Sequence, residues 1–319
     1  MKLFRFLVAT SVSAGLILGL GLAFSSHLMG NDLLGAGGLA RIADSLRLHL
    51  FVLSACLAAI LYVLGRRRRA LLGLVLALAG TAGLIADYRS RAVDPGIETD
   101  LTVLWFNAFV GNRMPTALQA AMKDSGADLI VVAEARSLRS HLDSLSEEYP
   151  YRLGCEPRTV CSMLVLSKLP LSEATLEDSS FGPQRVARFS VQPPGMTSLP
   201  VLAMHLVKPW YPEMNARDEA IADRQLAEVS SGRGPFLVIG DFNAAPWSRR
   251  LLQAERSQDL RHAAWPVATW PTWAGDFGIP IDHILLGGPR VSLRSLTHWG
   301  ENLGSNHLGL LARIDLPAP

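Results

Sequence analysis

Carboxylates, amides and histidines fall in one repeated setting along this chain, at or near the ends of short apolar runs. Asn107 ends LTVLWFN, Glu134 ends DLIVVAE, His205 sits in PVLAMHL, Asp241 and Asn243 close PFLVIGDFN, Asp282 lies in IDHILL, and Asn306 and His307 open NHLGLLARI. An Asn or Asp after a strand is ordinarily a turn residue, and a single histidine is more often structural than reactive. A series of them, each carried to the end of a β-run, asks for a different explanation. Carboxylate and amide oxygens are hard donors that can hold a divalent ion while leaving room for water and a phosphate, and nearby histidines can move protons.

Other residues of the same types are expected to be structural. His283 follows Asp282 on one strand, so the two side chains point to opposite faces, while His141, His262 and His298 lack partners at motif spacing. Arg185 and Arg188 lie three apart on one strand and also face opposite ways, so only one of them can approach a substrate. Trp247, Trp265, Trp270 and Trp273 suit either a stacking platform or loop packing.

The elements that must position these residues are strands at 101–107, 128–134, 161–167, 185–191, 200–206, 235–243, 281–286 and 307–314. Helices are predicted between the first two strands, stopping at Gly126, and over 215–230. Strands with few helices and long polar loops give an α/β (α+β) fold class, a layered domain with two packed sheets whose functional loops gather at strand ends. This domain is placed at 101–319, after a polar linker at 88–100 that contains Pro95 and Gly96.

Residues 1–87 read as a membrane anchor with transmembrane helices at about 6–26, 48–65 and 70–86. Only Arg66 to Arg69 separate the last two runs, and short arginine-rich loops stay on the cytoplasmic side, as would Lys2 and Arg5. Three crossings that begin inside end outside, so the expected location is a bacterial inner or plasma membrane with the polar domain facing the periplasm or exterior. His27 and His49, at segment edges, are assigned to the interface, and Cys56 to packing within a span. Cys155 and Cys161 flank the turn-like Glu156-Pro157-Arg158; an oxidising compartment would join them, whereas the cytosol would keep two thiols.

Composition agrees with a lipid-associated protein: 49% of the 319 residues are hydrophobic and 18% are charged, and the mean hydropathy is +0.24. These values exclude a disordered or fibrous chain and argue against an ordinary soluble enzyme. Of 30 basic and 28 acidic residues, eight and three precede residue 88, which leaves 22 and 25 beyond it and a formal charge of −3. A duplex-binding protein needs a basic face, and this domain has no surplus from which to build a large one.

WFNAF (105–109), DLIVVAEA (128–135), IGDFNAAPWS (239–248), PTW with IDHILL (271–273, 281–286) and SNHLGLL (305–311) resemble, in order, the motifs of the endonuclease/exonuclease/phosphatase superfamily, in its membrane-anchored bacterial branch. The resemblance spans most of 101–315 and implies a four-layer α/β sandwich of two packed, mostly antiparallel sheets. It implies hydrolysis of phosphoester or pyrophosphate bonds by a metal-activated water, with Mg²⁺ as cofactor and Mn²⁺ as its alternative. Glu134 would hold the metal, Asn107 the metal or its phosphate, and Asp241 and Asn243 would sit against the scissile phosphate. His307 would take a proton from the attacking water or stabilise the developing charge, Asp282 would orient His307, and His205 is the candidate general acid. The family usually ends in Ser-Asp-His, whereas this chain has Ser305, Asn306 and His307. A neutral amide at the metal side leads us to expect a single, weakly held ion.

Fold does not choose a substrate. A domain tethered close to a bilayer meets lipid headgroups at high effective concentration, and the plan resembles anchored family members, linked to glycopeptide resistance, that act on an undecaprenyl pyrophosphate carrier. The favoured substrate is therefore a lipid-linked pyrophosphate or phospholipid. An extracytoplasmic endonuclease is the alternative within the same chemistry, with nucleic acid a less favoured partner. A catalytically inactive membrane binding module is the alternative from another class, and the amide at Asn306 is its best support.

Overall fold

The computed structural model of the protein describes residues 2–26, 37–196, 198–232 and 234–317, so that His27 lies outside the described residues. The chain divides into two compact units, one of Met1–Ser90 with Ala245–Arg249, the other of Arg91–Ala244 with Arg250–Pro319.

The first unit is helical: α1 (Lys2–Ser25), α2 (Gly37–Ser45), α3 (Arg47–Val63) and α4 (Arg67–Arg89). Its core joins Leu16, Ala23, Phe51, Ala58, Leu61 and Ala77, and a Cβ added at Gly80 would enter the Phe51 ring, so a glycine is what lets α4 approach α3 there. Two helices, Leu3–Ser25 and Arg67–Arg89, are long and apolar enough to cross a membrane. Of the three spans read from sequence, two are single helices here and the third rests on a bent pair. The run at 48–65 becomes a 17-residue helix that stops at Val63, because Leu64 and Gly65 turn the chain, Gly65 with φ 83°. It makes a third candidate only if α2 and α3, bent by 73° at their junction, count as one span. Arg66 to Arg69 are exposed at the turn into α4, and Cys56 faces outward instead of packing. In the same unit the Trp247 indole donates to the Ser45 carbonyl at 2.9 Å and Asp44 accepts the Arg249 amide hydrogen at 2.7 Å, so Trp247 is a packing residue.

The second unit holds two mixed sheets, in each of which one pair of neighbouring strands is parallel and the rest are antiparallel. One has the order β10-β11-β1-β2-β4-β3, built from β1 (Leu101–Asn107), β2 (Leu129–Ala133), β3 (Tyr151–Leu153), β4 (Met163–Ser167), β10 (Ser292–Trp299) and β11 (Gly309–Asp315). The other has the order β5-β6-β7-β8-β9, built from β5 (Leu171–Ser179), β6 (Gly182–Val191), β7 (Leu199–His205), β8 (Phe236–Asp241) and β9 (Asp282–Gly287). Alternate residues of both sheets meet in one buried core, including Val103 and Trp105 of β1, Val201 and Ala203 of β7, Leu237 and Ile239 of β8, and Ile284 and Leu286 of β9. The opposite faces are covered by helices. Leu104 and Phe106 pack with Leu118 and Met122 of α5 (Pro115–Asp124), with Leu142 and Leu145 of the short α6 (Leu142–Leu145) in the same cluster. Leu202, Met204 and Val238 pack with Leu226 of α7 (Pro212–Ser230) and Leu251 of α8 (Arg249–Gln258). The result is the expected α/β sandwich. The stretch read as a linker is bound to this unit, with Val93 donating to the His262 carbonyl at 2.8 Å and Gly96 to that of Leu293 at 3.0 Å.

Candidate active site

Side chains of a strand alternate between faces, and the inward series of four strands each end on a polar residue. Val103 and Trp105 lead to Asn107, Val201 and Ala203 to His205, Leu237 and Ile239 to Asp241, and Leu286 and Ile284, read backwards along an antiparallel strand, to Asp282. Strand register then fixes their neighbours: His205 pairs with Asp241 across the parallel β7 and β8, and Asp241 with Asp282 across β8 and β9. Close approach of β7 and β8 depends on Gly240, where an added Cβ would fall on the Met204 carbonyl oxygen. The sandwich core thus ends in a polar cluster drawn from both sheets.

Asp241 lies at its centre. One carboxylate oxygen accepts the Asn243 amide hydrogen at 2.9 Å and the other accepts from the Asn107 side chain at 3.1 Å. His205 Nε2 and His307 Nε2 approach that second oxygen at 3.6 and 3.9 Å. Burial, followed by the like charge of Asp282, pushes Asp241 up to about 7 against the opposing pull of His307 and the two hydrogen bonds.

On one flank, Asp282 accepts the Trp105 indole hydrogen on one oxygen and His307 Nδ1–H on the other, both at 2.8 Å. Burial works against charge on His307, but the Asp282 carboxylate and its hydrogen bond, aided by Asp241 and Glu134, raise the imidazole to about 9. Asp282 is held below the ordinary carboxylate range, because His307, Thr269 and Trp105 outweigh its burial. The loop before β11 is fixed by the Ser305 hydroxyl, which donates to the Asn107 carbonyl at 2.6 Å and accepts the His307 amide hydrogen at 3.0 Å.

On the other flank, Arg185 Nη1 donates to His205 Nδ1 at 2.7 Å. The same Arg185 nitrogen lies 3.3 Å from His205 Nε2, and because a guanidinium only donates, at least one ring nitrogen stays unprotonated and His205 is a neutral imidazole. Burial and then Arg185, with His307 and Lys208, hold His205 well below its ordinary range. Glu134, at φ 53° directly after β2, turns out of the strand; its carboxylate accepts the Val110 amide hydrogen at 2.6 Å and lies 3.8 Å from His205 Nε2.

The structure therefore brings together Asn107, Glu134, His205, Asp241, Asp282 and His307. Asn243 donates one side-chain hydrogen to the Leu206 carbonyl at 2.9 Å, which leaves its second N–H. Asn306 is exposed, and its carbonyl accepts the Thr272 amide hydrogen at 3.0 Å; no hydrogen bond joins its side chain to Asn107 or Glu134 among the described residues. Of the two arginines on β6, Arg185 enters the site and Arg188 pairs with Glu228 at 2.9 Å. His283 lies on the far face and meets the Ala244 carbonyl at 2.8 Å. Trp105 was not singled out by sequence, although it shares a strand face with Asn107 two residues on.

Ligand atoms of Asp241, Asp282 and His307 lie within 4.8 Å of one another and could hold a metal ion. Both Asp282 oxygens are already engaged, however, and a metal there would have to displace His307. Glu134 and Asn107 offer a divalent cation hard oxygens near Asp241: the Glu134 oxygen that is not bonded to Val110, and the Asn107 amide oxygen, which also accepts the Phe109 amide hydrogen at 3.1 Å.

The sequence model of the Endonuclease/Exonuclease/phosphatase family matches residues 104–307. This chain belongs to that family. Family members are typically metal-dependent hydrolases acting on phosphoester bonds. Solved structures with a similar fold include the endonuclease/exonuclease/phosphatase from Beutenbergia cavernae, 18% identical over 70% of this chain and 73% of that one with a TM-score of 0.52. The family member from Bacteroides vulgatus is 18% identical over 69% and 100%, TM-score 0.53. The 3' phosphatase NExo from Neisseria, bound to a product DNA hairpin, is 17% identical over 67% and 99%, TM-score 0.50. No curated protein matches the chain in sequence.

Proposed function

We propose that this endonuclease/exonuclease/phosphatase family member is a membrane-anchored hydrolase of phosphoester or pyrophosphate bonds, acting on a lipid-linked pyrophosphate or a phospholipid. The observation that carries the reading is the pair of buried histidines on one oxygen of Asp241, one made cationic by Asp282 and the other kept neutral by burial and Arg185. A carboxyl near 7 between them can accept a proton from an attacking water at neutral pH. His307, as imidazolium, places positive charge where negative charge develops at phosphorus, and Asp282 holds its ring in place. His205 Nε2–H and the second Asn243 N–H donate to phosphate oxygens. A divalent ion, Mg²⁺ or Mn²⁺, held by Glu134 and Asn107 with Asn306 on the adjoining loop, would neutralise phosphate charge when bound.

Apolar helices in the same chain and the −3 charge of residues 88–319 support a lipid substrate over DNA. For the orientation, three crossings are proposed, α1, the bent α2–α3 pair and α4, which place the second unit in the periplasm or outside the cell. The Cys155–Cys161 disulfide suits an oxidising compartment. A reporter active only outside the cytoplasm, fused to the C-terminus, should be active; silence would favour two crossings.

The deciding experiment measures inorganic phosphate released from a polyprenyl pyrophosphate by the full chain in detergent, with Mg²⁺ and with chelator, beside a plasmid-nicking assay. Chelator-sensitive phosphate release without nicking supports the proposal. Nicking without phosphate release would replace it with an extracytoplasmic nuclease, the reading that the DNA-bound Neisseria neighbour favours.

A further inference from the structure

The polar site is bordered by loops that expose large apolar side chains. Phe109 and Val110 lie two and three residues after Asn107, and the Val110 backbone is tied to Glu134. Trp210 and Tyr211 follow His205; their rings lie 6.1 Å apart, and Phe181 lies 6.0 Å from Tyr211. Phe181 in turn carries Arg185, the His205 partner, 4.5 Å over its ring. Beside the loop that carries His307, Trp273 and Phe277 are 88% and 87% exposed, on a 3-10 segment whose Thr272 is bonded to the Ser305 and Asn306 carbonyls.

These loops are built to hold that exposure. Buried Asp218 of α7 accepts the Ser180 and Val207 amide hydrogens, each at 2.8 Å, and so fixes both the β5–β6 turn carrying Phe181 and the loop leading to Trp210. Lys208 lies 5.6 Å over the Trp210 ring. Monomers rarely leave large apolar side chains exposed in contiguous groups without a partner surface.

We infer that this rim is an interfacial surface that enters the headgroup and upper acyl region of a lipid bilayer and delivers an amphiphilic phosphate to the site. The inference rests on the lipid-substrate reading and adds how the substrate is presented. Three observations favour a bilayer over a nucleic acid as the occupant. Trp and Tyr beside a lysine form the composition that settles at a membrane interface. Val110 has no π-face and can cover hydrocarbon but cannot stack a base. Residues 88–319 lack the net positive charge that phosphate-backbone binding requires.

The test uses the full chain reconstituted in phosphatidylcholine vesicles whose acyl chains carry bromine, a short-range quencher of tryptophan. Quenching should fall clearly in a Trp210→Phe/Trp273→Phe double variant relative to the parent; equal fractional quenching in both would overturn the surface. This readout needs no catalysis. In parallel, Trp210→Ser, Trp273→Ser and Phe277→Ser together should raise KM for a long-chain polyprenyl pyrophosphate in mixed micelles about tenfold, while turnover of a short, water-soluble phosphoester stays within about twofold. Equal losses on both substrates would overturn the inference by making these residues part of general catalysis or folding. Relief of quenching by single-stranded DNA would overturn it in favour of a nucleic acid. Intact quenching in a protein inactive on every phosphoester would uphold the surface and refute the hydrolase.

Discussion

His205 and His307 approach the same oxygen of Asp241, at 3.6 and 3.9 Å, from opposite surroundings. Both are buried, and burial alone lowers both. What separates them is the group on the other ring nitrogen. A carboxylate accepts from His307 Nδ1 and makes the ring a cation, whereas a guanidinium lies 2.7 and 3.3 Å from the two ring nitrogens of His205 and adds to the burial that keeps the ring neutral. Two chemically identical side chains thereby become a charged donor and a neutral donor on either side of one carboxylate. The difference teaches that a partner overrides burial at His307 and adds to it at His205, so removing the partners should be as informative as removing the histidines.

The largest effect is expected from removing a side of the site outright. Glu134→Ala or His307→Ala should cut kcat on a phosphoester by about 10³-fold, and His205→Ala by about 10²-fold, within the usual range for one acid–base or charge-stabilising group. Equal residual activity in all three variants would mean a contaminant or an inactive binding module, and the asymmetry between the histidines would vanish with it.

Next comes Asp282→Asn, which keeps His307 in place but removes its countercharge. The parent pH profile of kcat/KM should rise as Asp241 ionises near 7 and fall as His307 loses its proton near 9. In the variant the descending limb should move down by roughly two pH units toward the ordinary histidine value of about 6.5, with about 10²-fold less activity at pH 8. A descending limb that stays in place would show that Asp282 does not hold the cation.

Much of this comparison was legible in the sequence, and the part that was not has a physical reason. Strand ends were readable because inward alternation forces every second residue into the core until a polar residue ends the series, as at Ala203–His205 and Ile239–Asp241. The same alternation said that only one of Arg185 and Arg188 could enter, but which one depends on which face of β6 meets the other sheet, a tertiary fact. The strands not foreseen, β3, β5 and β10, are all sheet edges. Edge strands are less completely covered, and β5, LSEATLEDS, is exposed at most positions, so no apolar period announces it. Trp105 was passed over because a tryptophan in an apolar strand reads as core, which it also is; its indole bond to Asp282 needs a second sheet to be seen. The middle span differs for a local reason: the turn at Leu64 and Gly65 ends α3 after 17 residues, and only with α2, across a 73° bend, does it become a candidate span.

Arg185→Met sharpens the neutral side of the comparison. Burial still keeps His205 low, so the ring should stay uncharged at pH 7, but one cation near the phosphate is lost. We expect KM to rise about tenfold with a smaller change in kcat, measured on a soluble phosphoester. A Lys variant should recover part of the loss, and a loss confined to kcat would assign Arg185 to positioning His205 instead.

The smallest expected effect concerns stability at Asp241, where the two sides meet. A carboxyl raised from 3.8 to about 7 in the folded protein binds a proton that the unfolded chain has already released. Its contribution to stability is therefore fully present below pH 3.8 and lost as pH rises through about 7. Asp241→Asn removes this dependence while its side-chain oxygen can still accept the Asn243 amide hydrogen. In chelator, the variant should melt near the parent at pH 4 and about 5 °C above it at pH 8, while losing catalysis. The apparent Tm, followed by intrinsic fluorescence across that pH range, decides the matter: parallel curves for the two proteins would mean that the His307 cation already compensates the Asp241 charge, and the base assigned to the reaction would have to be sought elsewhere.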